Sequence, residues 1–264
     1  MADEIIKEGI LSFTTKKTSF NIIVLKTVNS TNFYTKELAK NNAPHETLVI
    51  ADHQTEGRGR LGREFFSPEG SGIYMSILLK PDKIVLPPSL LTVGAGVAVC
   101  RVLNSISKSP ATIKWVNDIF LHKKKVCGIL AESTSNPDKG TISNIIVGIG
   151  LNVNTPDNVF PGKLNKIAGS VFPENITRNE ITAKIINEFQ QIYNADNPQD
   201  LIDEYKNYSC VLGKKIHFTK SGKAFSGTAV DINDEGNLIV ALDTGETLIL
   251  KSGEISLGSE NFTD

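Results

Sequence analysis

Apolar and polar positions along the chain mark out its elements before any chemistry is considered. Residues 21–25 (NIIVL) and 48–52 (LVIAD) are short β-branched runs and read as strands. Between them Ser30, Thr31 and Asn32 offer an N-cap to a helix through Tyr34, Leu38 and Ala39, which ends near Asn41, Asn42 and Pro44. Residues 72–79 form a third strand stopped by Pro81, and 89–106 have helical character, with Gly94, Ala95, Gly96 and Ala98 allowing close approach to a sheet. Residues 112–115 and 128–132 look like paired strands around a polar turn, and 145–151 is a further strand. The period lengthens again at 181–193 and 200–208, which read as amphipathic helices.

From Gly213 the texture changes to short strands, 216–218, 224–232, 238–242 and 246–250, joined by Asn/Asp/Gly turns. About fifty residues of this kind predict a small SH3-like β-barrel. The expected organisation is an extension at 1–20, a larger domain at 21–209 and the barrel at 210–264. The extension leaves no room for a helix-turn-helix ahead of the first strand.

Composition narrows the function classes. The 264 residues carry 28 basic and 29 acidic side chains, a net charge of -1, so no global field favours nucleic acid or a membrane surface. The apolar run 90–103 is short for a bilayer and contains Arg101; MADEIIKEGI is acidic and unlike a signal peptide. Cys100, Cys127 and Cys210 are scattered and odd in number, the pattern of free thiols in a reducing compartment. A cytoplasmic protein is expected. Four histidines without HxxxH spacing suggest no zinc site, and no GxSxG elbow is present.

Chemistry concentrates in three segments. Gly57-Arg58-Gly59-Arg60-Leu61-Gly62-Arg63 joins glycines, which admit close backbone approach, to arginines, whose planar forks match phosphate oxygens. It spells GxGxxG, but the dinucleotide fingerprint needs a helix directly afterwards, and here Pro68 and a strand follow. A single short copy in a neutral chain also argues against an RNA-binding arginine-glycine stretch. In Lys114-Trp115-Val116-Asn117-Asp118 a lysine, an amide and a carboxylate lie at a strand-to-turn transition, where a hairpin capped by an Asx-turn is the alternative. Lys125 follows two turn lysines but adjoins a strand and precedes Gly128 by three, so it is expected to point inward. In Gly148-Ile149-Gly150-Leu151-Asn152-Val153-Asn154, apolar residues alternate with glycine and asparagine, which suits a strand edge approached by a ligand.

Taken in order, Ser30-Thr31-Asn32, Gln54 with the Gly57–Arg63 loop, Lys114–Asp118, Lys125 with 128–132, and 150–154 resemble the biotin–protein ligase family. The closing Gly253-Glu254-Ile255-Ser256-Leu257 fits too. The resemblance implies an α+β fold, a mixed sheet flanked by helices of the class II synthetase type, with a C-terminal SH3-like barrel. It implies that ATP and Mg²⁺ serve to make biotinyl-adenylate, and that a lysine of a carboxylase's carrier domain accepts the biotinyl group, in a monomer or homodimer. Ser30, Thr31, Asn32, Gln54 and Gly128 would bind biotin, and Arg58, Gly59 and Arg60 would close over the activated carboxyl as a lid. Lys125, Arg58 and Arg60 would be catalytic. Arg63, Phe65, Lys114, Trp115, Asn117, Asp118 and Asn152 would serve the nucleotide, with Asp118 toward Mg²⁺. Val116 stands where the family commonly has proline, and Phe65 where tryptophan is frequent. The lipoate ligases share a related architecture; the Arg-Gly loop and KWVND favour biotin.

Overall fold

The computed structural model describes residues 3–15, 20–135 and 140–257. A seven-stranded sheet carries the larger part: β1 (Asn21–Val28), β2 (Thr47–Gln54), β3 (Gly72–Leu79), β4 (Thr112–Lys114), β5 (Asp118–Leu121), β6 (Lys124–Ser135) and β7 (Ile142–Asn152). Their order is β1-β2-β3-β7-β6-β5-β4, parallel only between β1 and β2. The sheet is therefore mixed, as expected.

One sheet face is closed by helices. Helix α3 (Leu91–Ile106) lies in the core between the sheet and helices α5 (Arg178–Tyr193) and α6 (Pro198–Tyr208). Its glycines work as the pattern suggested, though on two neighbours. Gly94 faces Ile192 and Phe189 of α5, while Gly96 faces Ile113 and Ile129 of the sheet and Tyr205 of α6. With its preceding turn the helix spans 19 residues, Pro88–Ile106, long and apolar enough to cross a membrane. Length thus does not set it apart from a membrane span, as the run 90–103 suggested. Burial against the sheet and two helices accounts for its apolarity, and Arg101 meets Glu188 and Glu204 at 3.0 and 2.6 Å.

The opposite face holds helix α2 (Thr31–Lys40) and the loops that build the cleft. The expected 112–115 to 128–132 pair corrects here. Strand β5, unrecognised in the sequence, lies between β4 and β6, paired to both. Its four residues, DIFL, are too few to show a period. Likewise, the featureless extension contains helix α1 (Lys7–Phe13), whose Ile10 is fully buried. Asp3 ahead of it accepts the Arg178 backbone N–H at 3.0 Å, and Arg178 also reaches Asp52 at 2.7 Å.

Strands β8 (Lys215–Lys220), β9 (Lys223–Ile232), β10 (Leu238–Leu242), β11 (Thr247–Leu250) and β12 (Ile255–Leu257) form an antiparallel five-stranded sheet, ordered β11-β10-β9-β8-β12. This SH3-like unit docks on the larger one. The buried Trp115 indole donates to Gly236 O at 2.9 Å, and Cys210 N–H donates to Ile113 O at 2.9 Å.

Candidate active site

Alternation along three adjacent strands builds the floor of the site. Ser76 of β3, Gly148 of β7 and Leu130 of β6 sit in one cross-strand row; Tyr74, Gly150, Gly128 and Asp118 form the next. Residues two apart share a face, so the three glycines open one bare strip. That strip is not a strand edge, as 148–154 suggested, because β7 is the middle strand of seven. Nor is it left bare for a ligand. A Cβ on Gly148 would stand 2.2 Å from Asn32 Oδ1, and one on Gly150 would stand 2.6 Å from the Phe65 ring. Glycine is required so that Asn32 and Phe65 can lie flat on the sheet.

Above this floor lies a cleft of about 240 Å³. Every residue given a site role in the sequence lines it: Ser30, Thr31 and Asn32 at the helix start, Gln54, then Arg58, Gly59, Arg60, Arg63 and Phe65, Lys114 to Asp118 apart from Val116, Lys125, Gly128 and Asn152. Their settings differ. Thr31 N–H and Oγ1 lie 2.9 and 3.1 Å from Gln54 Oε1, which makes these two residues one unit at one end. The polar atoms of Asn32 are held by protein: Nδ2 meets Leu130 O at 3.2 Å and Glu132 Oε2 at 2.8 Å, and Oδ1 meets Ser76 Oγ at 2.6 Å.

The Arg-Gly segment is a closed hairpin. Gly59 N–H donates to Arg63 O at 2.7 Å and Phe65 N–H to Gly57 O at 2.8 Å, while Leu61 at the tip has φ 54° and is 76 % exposed. Arg60 bridges Asn117 Oδ1 at 2.7 Å and Gly253 O at 2.6 Å, and Arg63 pairs with Glu254. The barrel thus clasps the hairpin. Arg58 is free of such a clasp; its guanidinium lies 5.8 Å from the Phe33 ring centroid, a cation–π distance.

At the far end, Lys125 Nζ lies 2.7 Å from Asp118 Oδ1 beside Gly128, so the inward orientation expected of Lys125 is found. Asn152 donates to Gly169 O at 3.0 Å, but its buried Oδ1 has no partner. A buried acceptor without a donor is costly, which makes it an open position for a ligand. Trp115 lines the cleft with a ring that is 3 % exposed and tied to Gly236 O. Among the described residues, no group of three or more His, Cys, Asp or Glu is placed to hold a metal.

Some residues were missed. Ser67 and Ser76 join the polar unit through Gln54, Thr31 and Asn32, and Glu132 anchors it with Lys36 at 2.5 Å. Burial raises the Glu132 carboxyl, yet the Lys36 ammonium and the Asn32 amide outweigh it and hold it below the usual carboxylate range. A serine inside the otherwise apolar GIYMSILL was the available signal. Phe160, Leu164, Ile167 and Ala168 form an apolar wall whose sequence has no period to announce it.

Comparison with known proteins agrees with this geometry. Residues 24–152 match the biotin/lipoate A/B protein ligase family, and 211–258 match the biotin protein ligase C-terminal domain. The chain is 36 % identical to the bifunctional ligase/repressor BirA of Bacillus subtilis, over 90 % of this chain and 74 % of that one. It is 32 % identical to the biotin–[acetyl-CoA-carboxylase] ligase of Mycobacterium tuberculosis, over 79 % and 77 %. The Aquifex aeolicus biotin protein ligase in complex with biotin and ATP superposes with a TM-score of 0.75 at 28 % identity, covering 90 % of this chain and 98 % of that one. Within the broader class of biotin and lipoate ligases, this chain belongs to the biotin protein ligase family.

Proposed function

We propose that this chain joins biotin to ATP as biotinyl-5'-AMP, releasing pyrophosphate, and then transfers the biotinyl group to a lysine of a biotin carboxyl carrier domain. The observation carrying the reading is convergence. A neutral hydrogen-bonding end (Ser30, Thr31, Gln54), a cationic hairpin and the Asp118–Lys125 pair line one cleft.

The ring of biotin has a polar ureido edge, which must be satisfied when buried, and Thr31 and Gln54 supply it. The chain's carboxylate then points toward Lys125. Attack of that carboxylate on the α-phosphorus forms a C–O–P anhydride and breaks the bond to pyrophosphate. Lys125, Arg58 and Arg60 stabilise the charge gathered there, in a water-poor cleft where such contacts are strong. Phe65, flat on Gly150, offers a face to the base, and the open Asn152 Oδ1 accepts a donor from the nucleotide. In the second step the acceptor amine attacks the acyl carbon and AMP leaves. Position and leaving group suffice without a strong base.

Mg²⁺ fits this donor set as a companion of ATP rather than a caged ion. It is commonly held by one or two carboxylates with phosphates and water, and Asp118 is the carboxylate here. When bound it neutralises phosphate charge. Three free thiols suit a reducing, cytoplasmic setting, and we take residue 210 as the division between catalytic unit and barrel.

The test is incubation with labelled biotin or labelled lipoate, ATP and a carrier domain. Biotin- and ATP-dependent pyrophosphate release with label on the carrier is expected; label from lipoate alone sinks the reading.

A further inference from the structure

Glu132 lies outside the roles given above, yet the polar unit at the biotin end starts from it. Its Oε1 takes the Lys36 ammonium at 2.5 Å, and its Oε2 takes Asn32 Nδ2 at 2.8 Å. A carboxylate only accepts, and so does Leu130 O on the same Nδ2. The Asn32 atom facing them must therefore be the NH₂, and the atom facing Ser76 must be the carbonyl oxygen.

The consequence passes along the unit. Ser76 Oγ, 2.6 Å from that oxygen, directs its hydrogen there and turns lone pairs toward Thr31 Oγ1 at 2.8 Å. The Thr31 hydrogen then goes inward, to Ser76 Oγ or to Gln54 Oε1 at 3.1 Å. Either way Thr31 Oγ1 faces the cleft as an acceptor. At the other end the Thr31 backbone N–H always donates, so the Gln54 atom it meets at 2.9 Å is the carbonyl, which leaves Gln54 Nε2 as a donor beside the cleft. The anion thus bears on the polarity of Thr31, while the Thr31 backbone N–H fixes that of Gln54.

We propose that Glu132, held by Lys36, is a positioning residue for the acid substrate: through Asn32 and Ser76 it sets Thr31 as an acceptor for a ring N–H, beside the Gln54 donor that the Thr31 backbone fixes, the pattern complementary to a cyclic urea with N–H beside C=O. This rests on the reading that biotin's ring occupies the Ser30–Gln54 end. In Glu132→Gln the Lys36 ammonium keeps the amide oxygen, so the amide nitrogen faces the Asn32 NH₂ and opposes it, and Leu130 O at 3.2 Å is left alone to hold the orientation of Asn32.

Wild type, Glu132→Gln and Glu132→Asp are compared in pyrophosphate release, with KM for biotin, KM for ATP, kcat and thermal midpoint measured for each. Glu132→Gln is expected to raise KM for biotin about tenfold or more. Its kcat and KM for ATP stay within about twofold of wild type. Glu132→Asp keeps an acceptor-only anion and lies nearer to wild type than the isosteric amide does. An unchanged KM for biotin in Glu132→Gln overturns the proposal. So does an equal loss toward biotin and ATP with a lowered midpoint, the mark of a merely structural residue. So does an aspartate variant worse than the amide. Wild-type protein inactive with biotin and ATP would instead refute the functional reading itself, and this proposal with it.

Discussion

Lys125 Nζ stands 2.7 Å from Asp118 Oδ1, joining neighbouring strands β5 and β6 across the mouth of the cleft. Both side chains are partly exposed, so the pair adds at most about 1 kcal/mol to stability. On the function proposed above, the pair holds the ammonium extended toward the site until a phosphate replaces Asp118 as its partner. Lys125→Ala should therefore cut adenylate formation by roughly 100-fold or more, as loss of one such stabilising group does, with the thermal midpoint nearly unchanged. Pyrophosphate release and a melting curve on the same sample check this. Undiminished turnover would remove Lys125 from the chemistry.

Arg60 links the hairpin to both units, through Asn117 of the KWVND segment and Gly253 of the barrel. Arg60→Ala should loosen the closed hairpin and speed escape of the adenylate, because two charge-assisted bonds of about 1.5–3 kcal/mol each are lost. The expected signature is biotin on bystander lysines of an added protein that is no substrate of wild type. If the variant retains the intermediate as long as wild type does, the hairpin is not its lid.

Most strands and long helices were legible because each has enough residues to show a period: GIYMSILL, the small-residue helix of 89–106, and the helices at 181–193 and 200–208. The cleft was legible as segments, since Arg-Gly, KWVND and Lys125 carry chemistry unusual for a surface. What stayed hidden arises only from pairing. Strand β5 is four residues long, and its neighbours rather than its own pattern define it. The glycines at 148 and 150 were recognised as allowing close approach, but which groups approach, Asn32 and Phe65, depends on folding residues over 80 positions apart onto one sheet. Glu254 and Gly253 reach the arginines from the other unit, a contact no local pattern encodes.

Gly150→Ala follows from that contact. Its Cβ would fall 2.6 to 3.0 Å from three atoms of the Phe65 ring, so the ring must lift off the sheet. The strand itself tolerates alanine, and overpacking of this kind costs about 1–3 kcal/mol. The expected result is a KM for ATP raised about tenfold or more with a lesser effect on biotin, because Phe65 offers its face to the base. An unaltered KM for ATP in a folded variant would show that the base stacks elsewhere.

The helical layer carries its own pH dependence. Arg101 of α3 binds Glu204 of α6 through two nitrogens, at 2.8 and 2.6 Å, and Glu188 of α5 through a third contact at 3.0 Å. The Arg101 hydrogen bonds hold the Glu204 carboxyl below the usual carboxylate range, against an opposing effect of burial. A depressed folded-state pKa means stability that is fully present above the unfolded value, about 4.3, and lost as pH falls through the folded one. Glu204→Gln should thus lower the midpoint at pH 7 by an amount corresponding to about 1 kcal/mol or less, since the site is partly exposed. The gap between variant and wild type should begin to narrow below about pH 4.3 and close as pH falls through the depressed folded value. Melting curves at pH 7, 5 and 3.5 decide it, and a gap of constant size across that range would mean that Glu204 contributes through its packing alone and not through its charge.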